Sequence, residues 1–220
     1  MKNLGTRKIT LFLLIAQMTF VSCSSCIYYN TFYHAKKFYS EAEKSQKKNE
    51  DGKANQSDQA KYEDAIKKAS KVLSFHPDSK YVDDALYLIG KSYYNMEEWR
   101  KADRKFKELI VNFPESEYVI ESTYLLGMCN FHVESYGTAE ETYRDILARD
   151  KGTDYHDDAS FMLAEIRYAN GEYINAIEYY NDMLNSYPKS DQRAKALSRI
   201  GNSYFEMGNY SQAHNYYQQA

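Results

Sequence analysis

Residues 80–116 read KYVDDALYLIGKSYYNMEEWRKADRKFKELIVNFPES, and this stretch decides the fold. Val82, Ala85, Leu86, Ile89 and Tyr93 recur at three- and four-residue steps, the period of a helix with one apolar face. Trp99, Ala102, Phe106, Leu109 and Ile110 repeat that pattern in the second half. Asn95 to Glu98 is a short polar break between the two, and Pro114 closes the unit where a helix must stop. Ser116 then offers an N-cap oxygen to the helix that follows. One unit is two helices joined by a tight turn.

The unit recurs every 37 residues. The three prolines, Pro77, Pro114 and Pro188, are separated by one such period and then by two. The same shift aligns the small residues Gly90, Gly127, Ala164 and Gly201, and twelve residues on it aligns Ala102, Ala139, Ala176 and Ala213. Four further on stand Phe106, Tyr143, Tyr180 and Tyr217. Tyr62, Trp99, Tyr136, Tyr173 and Tyr210 form another register, and Ala65 extends the alanines back by one unit. Small side chains are expected where the two helices of a hairpin approach closely. Gly171 and Gly208 fall in the later turns, and Ser79, Thr153 and Ser190 share the register of Ser116.

Two units depart from the pattern. Lys151 stands where a proline is due, so that junction is expected to be looser. In the first unit Ala35, Phe38 and Tyr39 suit a first helix, but Ala65 follows Ala35 by 30 residues instead of 12. The surplus lies in the polar stretch KSQKKNEDGKANQSDQ, expected to be an exposed loop, about 46–58, with extended helix ends.

Composition agrees with helices. The chain has 220 residues, 27% of them charged and 43% apolar, which is the balance of a soluble globular protein. With 3 Pro and 9 Gly it holds too few breakers for a many-turned β sandwich or barrel. Its 23 Tyr are unusual.

The first residues read as an address. Lys2, Arg7 and Lys8 precede the apolar run ITLFLLIAQMTFV, Ile9 to Val21. As a helix this run rises about 20 Å, short of a hydrocarbon core of roughly 30 Å, so it reads as a secretory signal. Phe20-Val21-Ser22-Cys23 resembles the lipobox of bacterial lipoproteins, with Phe20 where Leu is usual. The resemblance implies cleavage before Cys23 and lipidation of its thiol and amine. Cys26 is the alternative lipidated residue. By analogy with lipoprotein sorting, Ser24 after the cysteine suggests the outer membrane. Without Lys2, Arg7 and Lys8, 25 basic residues stand against 31 acidic ones, a net charge of −6. That argues against a non-specific nucleic-acid binder.

No catalytic constellation stands out. HExxH, P-loop, GxSxG and GxGxxG motifs are absent, and His34, His76, His132, His156 and His214 fall in different registers. Cys129 and His132, three apart, read as a buried thiol beside a groove-facing histidine, not as metal ligands. His156-Asp157-Asp158 reads as a helix start, where acids suit the dipole. No cofactor and no metal site is expected, and the chain reads as a non-enzyme.

The spacing of small residue, alanine, aromatic and closing proline resembles the tetratricopeptide repeat (TPR), a helix–turn–helix unit of about 34 residues. The phrases FPESEY and YPKSDQ, each followed by an alanine-bearing helix, look like the repeats of BamD-type outer-membrane-assembly lipoproteins, and secondarily of periplasmic YbgF/CpoB proteins. The resemblance implies an all-α, right-handed solenoid. Its parts are a signal peptide (1–22), a lipid-anchored tether (23–30), an irregular first repeat (31–79) and repeats over 80–116, 117–153 and 154–190. The last repeat, 191–220, is incomplete and carries no polar cap, which reads as an array cut short.

In such arrays the first helix of each unit lines a concave groove. The residues that the resemblance places there are Tyr87, Lys91 and Tyr94, then Tyr124, Met128 and Phe131, then Phe161, Glu165 and Tyr168, and last Asn202 and Phe205. These rings either receive a partner or pack between units. The function implied is a non-enzymatic scaffold on the periplasmic face of the outer membrane, lipid-anchored and helping β-barrel proteins assemble. The alternatives are a YbgF/CpoB-like cell-envelope coordinator and an accessory domain of a longer protein. The expected partners are envelope proteins or peptide segments and the membrane, with no nucleic acid.

Overall fold

The computed structural model describes residues 31–149 and 155–220. The expected signal peptide, the expected tether with Cys23 and Cys26, and the junction with Lys151 and Thr153 lie outside the described residues.

Every described regular element is an α-helix. In chain order they are α1 (Tyr33–Gln46), α2 (Gln56–Phe75), α3 (Val82–Asn95), α4 (Trp99–Asn112) and α5 (Val119–His132), then α6 (Tyr136–Ala148), α7 (His156–Ala169), α8 (Tyr173–Ser186), α9 (Arg193–Glu206) and α10 (Tyr210–Gln219). The sequence period reappears residue for residue. First helices begin at Val82, Val119, His156 and Arg193, and second helices at Trp99, Tyr136, Tyr173 and Tyr210, each 37 after the last.

The chain forms two compact units, Met1–Leu109 and Ile110–Ala220. In the first, α1, α2 and α3 pack on one another around Phe32, Ala35, Ala69, Val72, Ala85, Leu88 and Ile89. In the second, each helix from α5 to α10 packs on the next. The core there gathers Tyr143, Ile146, Met162, Ile166, Tyr180, Met183 and Ile200.

The small registers are small for a steric reason. A Cβ on Gly90 would stand 2.6 Å from the Phe106 ring, and one on Gly127 equally close to the Tyr143 ring. Gly201 has the same relation to Tyr217. The aromatic of the second helix thus takes the space that a side chain on the first would need. Ala102, Ala139 and Ala176 are fully buried beside these sites.

Each hairpin turns through a left-handed residue. Glu97, Glu134, Gly171 and Gly208, one in each of four successive repeats, have φ of 59°, 60°, 76° and 75°. The following N–H groups, of Glu98, Ser135, Glu172 and Asn209, donate 2.8–2.9 Å bonds to carbonyls five residues back. This is a Schellman cap, whose left-handed position favours glycine. The chain supplies glycine at two of the four.

The serine register acts differently from the expectation. Ser79, Ser116 and Ser190 do not cap a helix. Each Oγ accepts from the N–H two residues on, of Tyr81 (3.3 Å), Tyr118 (3.4 Å) and Gln192 (3.1 Å), and so braces the turn that precedes the helix. The N-cap positions are Tyr81, Tyr118 and Gln192, none with a side-chain cap. A serine three residues before the first helical residue is one turn too early to reach its N–H groups.

In the first hairpin the surplus residues lengthen both helices. Tyr39 packs on Tyr62 (5.6 Å) as Tyr94 packs on Trp99 (5.1 Å), yet α1 runs seven residues past Tyr39 and α2 starts six before Tyr62. Asn55 and Asp58 form a reciprocal capping box at the start of α2. Burial pushes the Asp58 carboxyl up, but hydrogen bonds from Ser45, Asn49 and the Asn55 N–H outweigh it and hold it below the usual carboxylate value.

Candidate functional site

The groove-register residues project from α3, α5, α7 and α9, and each meets a neighbour. In the first unit Lys91 Nζ lies 5.3 Å from the Tyr87 ring centre and 6.0 Å from that of Tyr39. Tyr94 stands edge-on to Trp99. Asn95, at the end of the same helix, donates to the hydroxyls of Tyr39 (3.2 Å) and Tyr62 (3.0 Å). Tyr62 in turn donates to Gln46 (2.6 Å). Burial pushes both phenols well above their usual value.

In the second unit one register forms a repeated latch. Phe131 packs on Tyr136 (5.4 Å), Tyr168 on Tyr173 (5.5 Å) and Phe205 on Tyr210 (5.3 Å), as Tyr94 does on Trp99. Each pair ties the end of a first helix to the start of its second helix. These rings hold the hairpin turn. Phe205 keeps the largest free face, 53% exposed, with its partner Tyr210 exposed too.

The other ring register contacts a neighbouring repeat. Tyr124 stacks on Tyr155 at 5.0 Å, and Phe32 stacks on Tyr81 at 5.8 Å within the first unit. Tyr81 and Tyr155 occupy the same N-cap register, two periods apart. Tyr155 reaches its stack from a left-handed backbone, φ 73°.

Two expected groove residues are buried. Phe161 is 2% exposed, packed on Tyr180 (5.5 Å) with Lys195 Nζ 4.6 Å from its ring centre. Glu165 is 7% exposed and takes bonds from both sides. Tyr180 donates its hydroxyl to one carboxylate oxygen, and the Arg199 guanidinium lies 2.8 Å from each oxygen. Arg199 also caps the Tyr168 ring at 5.1 Å. Long cations from α9 thus lie over the face of α7. Burial first, and then the Glu165 carboxylate, drive the Tyr180 phenol far above its ordinary value. Asn202 repeats the arrangement without charge, accepting from Tyr217 at 2.8 Å. Met128 is half-buried against the same core.

Arg199 was legible in the period. Leu88, Leu125, Met162 and Arg199 share one register, and the first three are buried apolar residues. The single charge in that row pairs with Glu165, the single acid in the row Lys91, Met128, Glu165, Asn202. One unit back the equivalent pair is Met128 and Met162.

On α5, Cys129 is buried and His132 is exposed. His156 is buried at the first turn of α7, with Nε2 3.0 Å from the Ile146 carbonyl oxygen, and Asp157 and Asp158 follow it in that turn. Among the described residues no group of three or more His, Cys, Asp or Glu is placed to hold a metal ion. No described helix is long and apolar enough to cross a membrane.

Residues 84–116 and residues 157–220 match tetratricopeptide repeat models. No curated protein matches the sequence. Among solved structures, a crystal structure of MamA is 24% identical with a TM-score of 0.58, over 73% of this chain and 86% of that one. MamA 41-end from Desulfovibrio magneticus RS-1 is 14% identical with a TM-score of 0.59, over 84% and 92%. A Podosopora anserina structure with TPR-like repeats of kinesin light chain type is 12% identical with a TM-score of 0.62, over 84% and 91%. At these identities the likeness is one of fold. The chain carries tetratricopeptide repeats in an all-helical solenoid, the architecture of a protein–protein interaction scaffold.

Proposed function

We propose that this array of tetratricopeptide repeats is a lipid-anchored scaffold on the periplasmic face of the outer membrane, of the BamD-like type, serving β-barrel protein assembly without a catalytic step. The observation that carries this reading is a juxtaposition. The sequence Phe20-Val21-Ser22-Cys23 closes a secretory apolar run, and the first helix begins at Tyr33, only ten residues later. An anchor that close keeps a binding array against the membrane, where barrel precursors arrive. The repeats themselves support binding. Their first helices present half-buried rings and amphipathic cations, which give contact area at low entropy cost.

The test is recovery of the mature chain from gently solubilised membranes, with its companions quantified by mass spectrometry. The reading expects β-barrel assembly components in near-stoichiometric amount. Recovery with peptidoglycan or Tol-type machinery would replace it by the YbgF/CpoB-like alternative, and recovery of the chain alone would overturn both.

A further inference from the structure

Charge is divided unevenly along the repeats. Residues 31–80 hold 11 lysines against 8 acids, whereas residues 81–220 hold 14 basic residues against 23 acids. The basic excess therefore belongs to the first hairpin, the one that follows the anchor.

Within that hairpin the lysines gather at one end. Phe32, at the start of α1, packs with Ala69 and Val72 of α2 and stacks on Tyr81. The point where the chain arrives from the tether is thus beside the C-terminal half of α2 and the turn into α3. Lys67, Lys71, Ser74 and Phe75 follow one another at helical steps on α2, and all four are exposed. Phe75 is 71% exposed and Tyr33, at the start of α1, is 50% exposed. Lys36 lies 5.8 Å from the Phe32 ring centre, and Lys80 lies 5.1 Å from that of Tyr81. Lys67, Lys68 and Lys71 make no ion pair among the described residues, while Lys37, Lys47 and Lys53 elsewhere in the hairpin are paired with Glu41, Glu43 and Glu97. Asp78, Asp83 and Asp84 are the acids at this end.

We infer that this end of the first hairpin docks on an anionic phospholipid surface, with Phe75 and Tyr33 at the headgroup level and Lys36, Lys67, Lys71 and Lys80 around them. The inference rests on the lipid anchor of the proposed function. Two exposed rings set among unpaired lysines match an interface that is apolar below and negatively charged above. The reach fits as well. Eight residue steps run from Cys23 to Thr31, a span of at most about 28 Å, so the hairpin cannot leave the surface by more than its own length. A lipid chain and a polybasic patch together make the two signals that stable attachment takes.

The experiment reconstitutes the full mature protein, as purified from membranes, into phosphatidylcholine vesicles with or without 30% phosphatidylglycerol, a fraction chosen as roughly that of an anionic leaflet. Acetylation of each lysine is then followed by mass spectrometry. Lys36, Lys67, Lys71 and Lys80 should react about fivefold more slowly on the anionic vesicles, an effect that 1 M salt, with a Debye length of roughly 3 Å, should abolish. Lys47 and Lys53, at the far end of the hairpin, should react equally on both. In the variant Lys67→Glu/Lys71→Glu, both exposed positions, protection of Lys80 should be lost with the melting temperature unchanged. Equal reactivity of all lysines on the two vesicle types, with a lipidated terminus, would overturn docking and leave the anchor standing. The same spectra read the amino-terminal peptide. An unmodified terminus with protection intact would sink the anchor and support docking, and an unmodified terminus without protection would sink both.

Discussion

The Arg199 guanidinium holds the Glu165 carboxylate by two 2.8 Å contacts, from the first helix of one repeat to the first helix of the repeat before it. Because Glu165 is buried, the pair behaves as an internal one, and removing one partner strands the other. Arg199→Ala should cost about 2–3 kcal/mol, a figure reduced because about a third of the Arg199 side chain is exposed. The triple variant Glu165→Met/Arg199→Met/Tyr180→Phe gives these positions the apolar residues of their register equivalents Met128 and Met162, both part of or packed against the core. It should fall within about 1 kcal/mol of the parent, since apolar replacement of a whole buried pair is often neutral. Urea melts of the two variants check this, and equal losses in both would refute it.

The glycines make a paired test. Gly127→Ala drives a methyl into the Tyr143 ring and should cost about 1–3 kcal/mol. Gly137→Ala, on α6 with nothing within 4 Å of its added carbon, should stabilise by about 0.5–1 kcal/mol through helix propensity. Ala139→Leu and Ala176→Leu should behave like Gly127→Ala. Thermal melts that fail to separate Gly127→Ala from Gly137→Ala would remove the close-approach account.

Glu134 spends a side chain where two other repeats use glycine. Its φ of 60° is left-handed, so Glu134→Gly should stabilise by about 0.5–1 kcal/mol, net of the greater freedom of glycine in the unfolded chain. Glu97→Gly should gain less, because it gives up the exposed ion pair with Lys53. A lower melting temperature for Glu134→Gly is the contrary result.

Alkaline pH should unfold the chain early. Tyr39, Tyr62 and Tyr180 have phenols raised by burial above the ordinary value of 10.0. The unfolded chain therefore loses these protons first, so their contribution is complete below about pH 10 and declines as pH rises above it. Tyr180→Phe should flatten that decline. An unchanged slope between pH 9 and 11, the range about the ordinary phenol value, would show that Tyr180 does not take part.

The sequence period carried the fold because each register answers to one local contact. Gly90 is small because of Phe106, and helix starts at Val82, Val119, His156 and Arg193 repeat because the hairpin does. The faces of the first helices were harder to read. Whether Phe161 and Glu165 are open depends on Lys195 and Arg199 of the next repeat, and a period says which residues are equivalent without saying how far a long side chain reaches across. The clue was present in the charged break at Arg199 in a row otherwise filled by Leu88, Leu125 and Met162. The serine register misled for a similar reason. Ser79, Ser116 and Ser190 lie near helix starts, but their hydroxyls are consumed within the turn.

The central claim is that the first-helix faces bind an envelope protein. It is tested most directly by comparing partner recovery from solubilised membranes for the parent and for Phe205→Ala combined with Lys91→Ala. Phe205 is more than half exposed, so losing its edge contact with Tyr210 should lower the melting temperature by only a few degrees, and neither truncation should unfold the chain. The account predicts a drop of about tenfold or more in the partner recovered, with helicity retained, as anchor residues dominate an interface. Full recovery by the well-folded double variant would contradict it.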